Sequence, residues 1–212
     1  MFKRNQVEEA IAAVLQGTWG EPNVQLHTRI KRLLETDRSL GRSKRSSDPE
    51  RANFAFYTEN APGRGVESWF SGYEAFALLT GLLLMRHGWP QRFVVIILRH
   101  VRPELERHHA RILAQDRSEV FDEQPVRQRN RPGKLNVGTP DPLFFAILST
   151  NRDDRSSSHP AAICRGESEM MRFVLSYGPG YAFTIFPLVK TMHDLASALT
   201  KTRPRKRGRG SR

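Results

Sequence analysis

The chain has 212 residues, enough to bury the core of one or two domains. Its 34 Lys/Arg against 22 Asp/Glu give a formal charge of +12, which points to a polyanion rather than a basic partner. A single cysteine, Cys164, excludes an intramolecular disulfide and a cysteine-built zinc cluster and fits a reducing cytoplasm.

The charge is unevenly spread. Residues 1 to 45 hold nine Lys/Arg against five Asp/Glu, residues 46 to 200 hold eighteen against seventeen, and residues 201 to 212 hold seven against none. The basic excess therefore sits at the two ends. The N-terminus has no apolar signal run, and the most apolar stretch, residues 75 to 85, falls short of the roughly 20 residues that cross a bilayer. A cytoplasmic location with no membrane partner is expected.

In chain order, Asn5-Gln-Val-Glu8 has the form of a helix cap, and Val7, Ile11, Val14 and Leu15 follow at helical spacing up to a stop at Gly17. A second helix is predicted from Pro22 or Asn23, with Leu26, Ile30, Leu33 and Leu34 on one stripe and His27, Arg29, Lys31, Arg32 and Arg38 on the other face. The polar, Ser-rich residues 41 to 51 read as a mobile loop. Phe54-Ala-Phe-Tyr57 and Val66-Glu-Ser-Trp-Phe70 flank Asn60-Ala-Pro-Gly-Arg-Gly65, which reads as a β-hairpin with Arg64 near its tip. Ser71-Gly-Tyr-Glu74 is a capping box for an apolar helix over 72 to 87.

A fourth helix is expected from Pro90 through Val101, interrupted at Pro103, since a proline ring clashes with the carbonyl four residues back, and resuming through Leu105, Ile112 and Leu113. Residues 116 to 141 turn polar and Pro-rich and read as a linker. Strands are predicted at 143 to 148, 161 to 164, 173 to 177 and 181 to 186, then a closing helix carrying Leu188, Met192, Leu195 and Leu199. The expected fold is α+β. A mainly helical, winged-helix-like module over 1 to 115 precedes the linker at 116 to 142. A small antiparallel sheet with a helix over 143 to 200, for dimerisation or ligand sensing, is followed by a disordered basic tail over 201 to 212.

Residues 54 to 100, through Asn60-Ala-Pro-Gly-Arg-Gly65, Ser71, Glu74, Gly88-Trp89 and Val94, resemble the wing and post-wing helices of MerR-type regulators. The chain departs from that family in its longer first helices, its loop before the wing and its lack of a coiled coil after residue 115. The resemblance implies DNA binding, with the second helix in the major groove. His27, Arg29, Lys31 and Arg32 would then meet phosphates or base edges, with Arg64 reaching from the wing. Arg203, Arg205, Lys206, Arg207 and Arg209, interleaved with Pro and Gly, suit a mobile arm along a phosphate backbone.

Chemistry has little foothold. His100, Glu104 and His108 have the i, i+4, i+8 spacing of metal ligands, but Pro103 lies among them. Cys164 lies in an apolar run that suits an inert thiol, and neither a nucleophile elbow nor a phosphate-cradling glycine loop is present. The expectation is a non-catalytic, cofactor-free, homodimeric DNA-binding regulator. The alternative is an interaction adaptor whose basic tail binds acidic surfaces.

Overall fold

The computed structural model describes residues 1–59, 66–121, 139, 141–149, 160–178 and 181–204. Helices and two small antiparallel sheets make it α+β. Its contacts gather into two compact units, one of residues 1–102 with 194–212 and the other of residues 103–193. The division falls at Pro103 and Asp194 rather than at the polar linker.

In the first unit, helix α1 (Arg4–Gln16) begins closer to the N-terminus than the Asn5 cap suggested. Lys3 is its N-cap, and the Lys3 N–H donates to Gln6 Oε1 at 3.1 Å. The helix stops at Gly17, whose φ of +69° lies in the left-handed region that glycine adopts without strain. Helix α2 (Val24–Ser39) starts where expected, with the Asn23 side chain accepting from the Leu26 N–H at 2.8 Å. Helix α3 (Pro49–Ala52) is a single turn capped by Asp48. After strand β2 (Trp69–Phe70), helix α4 (Gly72–Arg86) opens on the Ser71/Glu74 capping box.

Helices α1, α2 and α4 pack on one another. Val7, Ile11, Ile30, Leu33, Phe76, Leu79 and Leu98 are fully or nearly fully buried. Gly81 marks the closest approach: a Cβ there would sit 3.4 Å from side chains of Leu33, Val94 and Leu98. A glycine inside a helix costs about 1 kcal/mol against alanine, and here it leaves room for α2 and the helix that follows.

Two expectations in this unit are corrected. The hairpin is absent from the described residues: Phe54–Tyr57 is not a strand, and β2 pairs antiparallel with β1 (Phe2–Lys3), matching Phe2 to Phe70 and Lys3 to Trp69. The turn between the two predicted strands lies outside the described residues. The supposed mobile loop is tied by a buried side chain at Gly41 and Glu50, near its two ends, and the segment that follows it is held by buried polar side chains. Asp37 accepts from the Ala55 and Phe56 N–H groups at 3.1 and 2.9 Å and from Arg99 Nε at 2.7 Å. Arg99 also donates to the carbonyls of Asp37, Gly41 and Glu50, and Arg102 to those of Phe54 and Tyr57 at 2.7 and 2.6 Å. Glu74, 3 % exposed, takes the Thr58 N–H as well as its own cap. Irregular backbone must find hydrogen-bond partners when buried, and these four side chains supply them.

Helix α5 (Gln91–Leu113) runs through Pro103 without the expected interruption. Val101 and Leu105 on either side are 4 % and 0 % exposed while Pro103 itself faces solvent, so burial of the flanking turns outweighs the lost hydrogen bond. The second unit contains its C-terminal part and a short helix, α6 (Arg117–Val120). It also contains a three-stranded sheet of order β4-β3-β5, from β3 (Leu143–Ser149), β4 (Ala161–Arg165) and β5 (Ala182–Pro187). Both pairings are antiparallel, with Phe145 opposite Ile163 on one side and Phe186 on the other.

The predicted strand at 173 to 177 is a correction: these residues end helix α7 (Gly166–Leu175) and enter a turn. Gly166, at φ +76°, turns the chain sharply out of β4, and Glu169 accepts the Arg165 N–H at 2.6 Å. Met170 and Phe173, three apart, then pack on Phe144, Ala146 and Cys164 of the sheet. Helix α8 (Val189–Lys201) closes the chain. Of the residues assigned to the basic tail, Lys201 ends this helix and Thr202 is 8 % exposed, while residues 205–212 lie outside the described residues.

Candidate nucleic-acid interface

Leu26, Ile30, Leu33, Leu34 and Asp37 define the buried stripe of α2, which leaves the other side of this 16-residue helix to solvent. At 100° per residue, Lys31 and Arg32 lie near the outer crest, while His27 and Arg29 fall on opposite shoulders. All four are exposed. They do not form one patch of free charge. His27 Nδ1 is 3.1 Å from Glu8 Oε2, a carboxylate that also takes Arg4 Nε at 2.7 Å. Lys31 is 3.8 Å from Glu35, and both are more than half exposed, so that pair contributes little to stability.

Of these four, Arg29 and Arg32 have no ion-pair partner among the described residues. The Arg32 carbonyl is held by the Gln91 side chain at 3.2 Å, which fixes the backbone and leaves the guanidinium outward. Arg29 lines a cavity of about 170 Å³ with Gln16 of α1, Asn23 and Gln25 of α2, and Arg86 from the last turn of α4. Arg86 was not singled out in the sequence, because a lone arginine closing an apolar helix reads as a favourable dipole contact. Only the packing of α4 beside α2 brings it to Arg29.

The root of the basic tail is tied to α1. Gln6 Nε2 donates to the Thr202 carbonyl at 3.2 Å, Asn5 Nδ2 to the Arg203 carbonyl at 3.4 Å, and Lys201 Nζ lies 5.8 Å from the Trp19 ring centroid. Arg203 is thus exposed on an anchored backbone. Arg64, Arg205, Lys206, Arg207 and Arg209 lie outside the described residues.

His100 and His108 have separate carboxylate neighbours, Glu50 at 3.5 Å and Glu104 at 3.8 Å. Among the described residues no three His, Cys, Asp or Glu side chains converge as metal ligands. Burial holds His109 down at about 4 and, with Glu169 and Glu104 nearby, pushes the Cys164 thiol up to about 11. Cys164 is therefore a protonated thiol at neutral pH and a poor nucleophile. Among the described residues no helix is long and apolar enough to cross a membrane.

Sorting the sequence by compact unit sharpens the charge pattern. The unit of residues 1–102 and 194–212 holds twenty-two Lys/Arg against eleven Asp/Glu, and residues 103–193 hold twelve against eleven. No protein-family model, curated protein or solved structure matches the chain.

Proposed function

We propose that the unit of residues 1–102 and 194–212 is a non-catalytic DNA-binding module, and that the chain acts as a homodimeric transcriptional regulator. The observation that carries this reading is the partition of charge: +11 of the total +12 belongs to one compact unit. A polyanion is the partner that rewards such concentration, because each phosphate neutralised releases condensed counterions. Two further features support it. Arg29 and Arg32 extend from a helix whose backbone is fixed by its cap and by Gln91, and the basic tail is rooted on α1 of the same unit.

The reading assigns α2 to the major groove and the residues after Pro204 to sequence-independent phosphate contact. Duplex DNA titrated by fluorescence anisotropy across a salt series tests it, with the full chain, a chain ending at Pro204, and Arg29→Ala/Arg32→Ala. Removing the five cations beyond Pro204 lowers the salt slope by up to about 4.5, at about 0.9 per phosphate contact. The shortened chain keeps its preference for selected sites over random duplex. The double substitution weakens that preference by about 1–3 kcal/mol per base-reading contact with the fold intact. Loss of all DNA binding with the tail would sink the reading of α2 and leave an adaptor with a charged arm.

A further inference from the structure

Two arginines, Arg29 of α2 and Arg86 of α4, line the same cavity of about 170 Å³, and no acidic residue lines it with them. Both side chains are exposed, and neither has an ion-pair partner among the described residues. The other polar lining consists of Gln16, Asn23 and Gln25, which donate hydrogen bonds without adding negative charge. The floor is apolar, from Leu15, Leu26 and Leu82, of which Leu26 and Leu82 are 5 % and 2 % exposed. One water needs about 10–15 Å³ of such volume, so there is room for a tetrahedral oxyanion.

Like charges beside one small cavity repel, and an anion bound between them would remove that repulsion while accepting several N–H bonds from the two planar forks. We infer that this notch seats a single phosphate group, with Arg29 and Arg86 as its two clamps. Taken with the nucleic-acid reading above, on which this step rests, the group is a backbone phosphate of the duplex, so Arg29 contacts the backbone and base reading from α2 falls to Arg32. Arg86 then positions α2 on the DNA without reading sequence, because a phosphate contact fixes register and orientation and carries no base information. Arg86 also closes α4 favourably for the helix dipole, so the test must read something that a stabilising role leaves unmoved.

Two measurements on the full-length chain do this, each with the wild type, Arg86→Gln and Arg29→Gln. In the first, duplex DNA affinity is followed against salt. Arg86→Gln is expected to weaken selected-site and random duplexes equally and to reduce the salt slope by about 0.9. An unchanged slope with DNA binding otherwise present overturns the inference and leaves the DNA reading standing. In the second, inorganic phosphate is titrated while the arginine Nε–Hε signals are followed by NMR. Saturable shifts of Arg29 and Arg86 are expected in the wild type, with the Arg29 shift lost in Arg86→Gln and the Arg86 shift lost in Arg29→Gln. Shifts that climb linearly without saturation overturn the notch. If the wild type binds no duplex DNA, the function reading falls, and the phosphate titration alone decides whether the notch is a phosphate seat.

Discussion

Asp37 and Arg99 are 0 % and 3 % exposed and 2.7 Å apart, and between them they hold five backbone groups of the segment from residue 37 to residue 56. Burial pushes the Asp37 carboxyl up from its ordinary range, against the opposing pull of the Phe56 N–H and the Arg99 guanidinium. A buried pair of this kind is expensive to break from one side, because the survivor remains as an uncompensated charge. Arg99→Met should therefore cost about 3–5 kcal/mol at pH 7. The substitution also removes the guanidinium that favours the ionised carboxylate. The folded-state pKa of Asp37 then rises further above its unfolded value, so the stability it contributes is present at low pH and lost as pH rises through the folded pKa. The deficit should accordingly shrink between pH 7 and pH 5. Urea denaturation at both values checks this; a deficit below about 1 kcal/mol at pH 7 would show that the pair does not hold the segment.

At the scale of elements, whatever depends on near neighbours was readable. The Asn23 cap, the Ser71/Glu74 box and the Gly17 stop are local chemistry, and each stands where the sequence places it. What depends on remote partners was not. Strand β2 pairs with residues almost seventy positions earlier, so the aromatic run before it looked like its hairpin mate. Residues 41–58 carry no periodicity, and their order comes from Asp37, Glu74, Arg99 and Arg102 on three helices. Phe173-Val-Leu has strong strand propensity, yet the apolar spacing of Met170 and Phe173 over the sheet overrides it. The site divides likewise: α2's exposed arginines were visible from periodicity, while Arg86 entered only through the packing of α4. Pro103 gives this scale its prediction. It is exposed within a continuous helix and forfeits one backbone hydrogen bond. Pro103→Ala should stabilise the chain by up to about 3 kcal/mol, seen as a higher urea midpoint with an unchanged slope. A lower midpoint would mean that α5 is bent at Pro103 in solution.

For the whole molecule, the question is how far into the basic C-terminal run the chain is tied to α1, since every test of DNA binding by truncation depends on it. Thr200 is a natural cut from the sequence, just before the run of positive charge. The structure makes it a poor one. Lys201 ends α8 over Trp19, Thr202 is buried with its carbonyl on Gln6, and the Arg203 carbonyl takes the Asn5 amide. Cutting at Thr200 deletes these bonds and leaves the Gln6 amide, on a side chain 7 % exposed, without its acceptors. A net hydrogen bond is worth about 0.5–1.5 kcal/mol, and a buried donor left unpaired costs about 1–3. The chain ending at Thr200 should therefore lose about 1–3 kcal/mol, whereas the chain ending at Pro204 should match full length within about 0.5. Thermal and urea unfolding of the three lengths decides this. Equal stability of all three would detach the tail's root from α1. The expected ordering would mean that a binding loss on cutting at Thr200 mixes charge with damage to α1, the helix that supplies Glu8 to His27 and Gln16 to the Arg29–Arg86 notch. The Pro204 chain removes the positive charge beyond the anchored root and leaves that support in place.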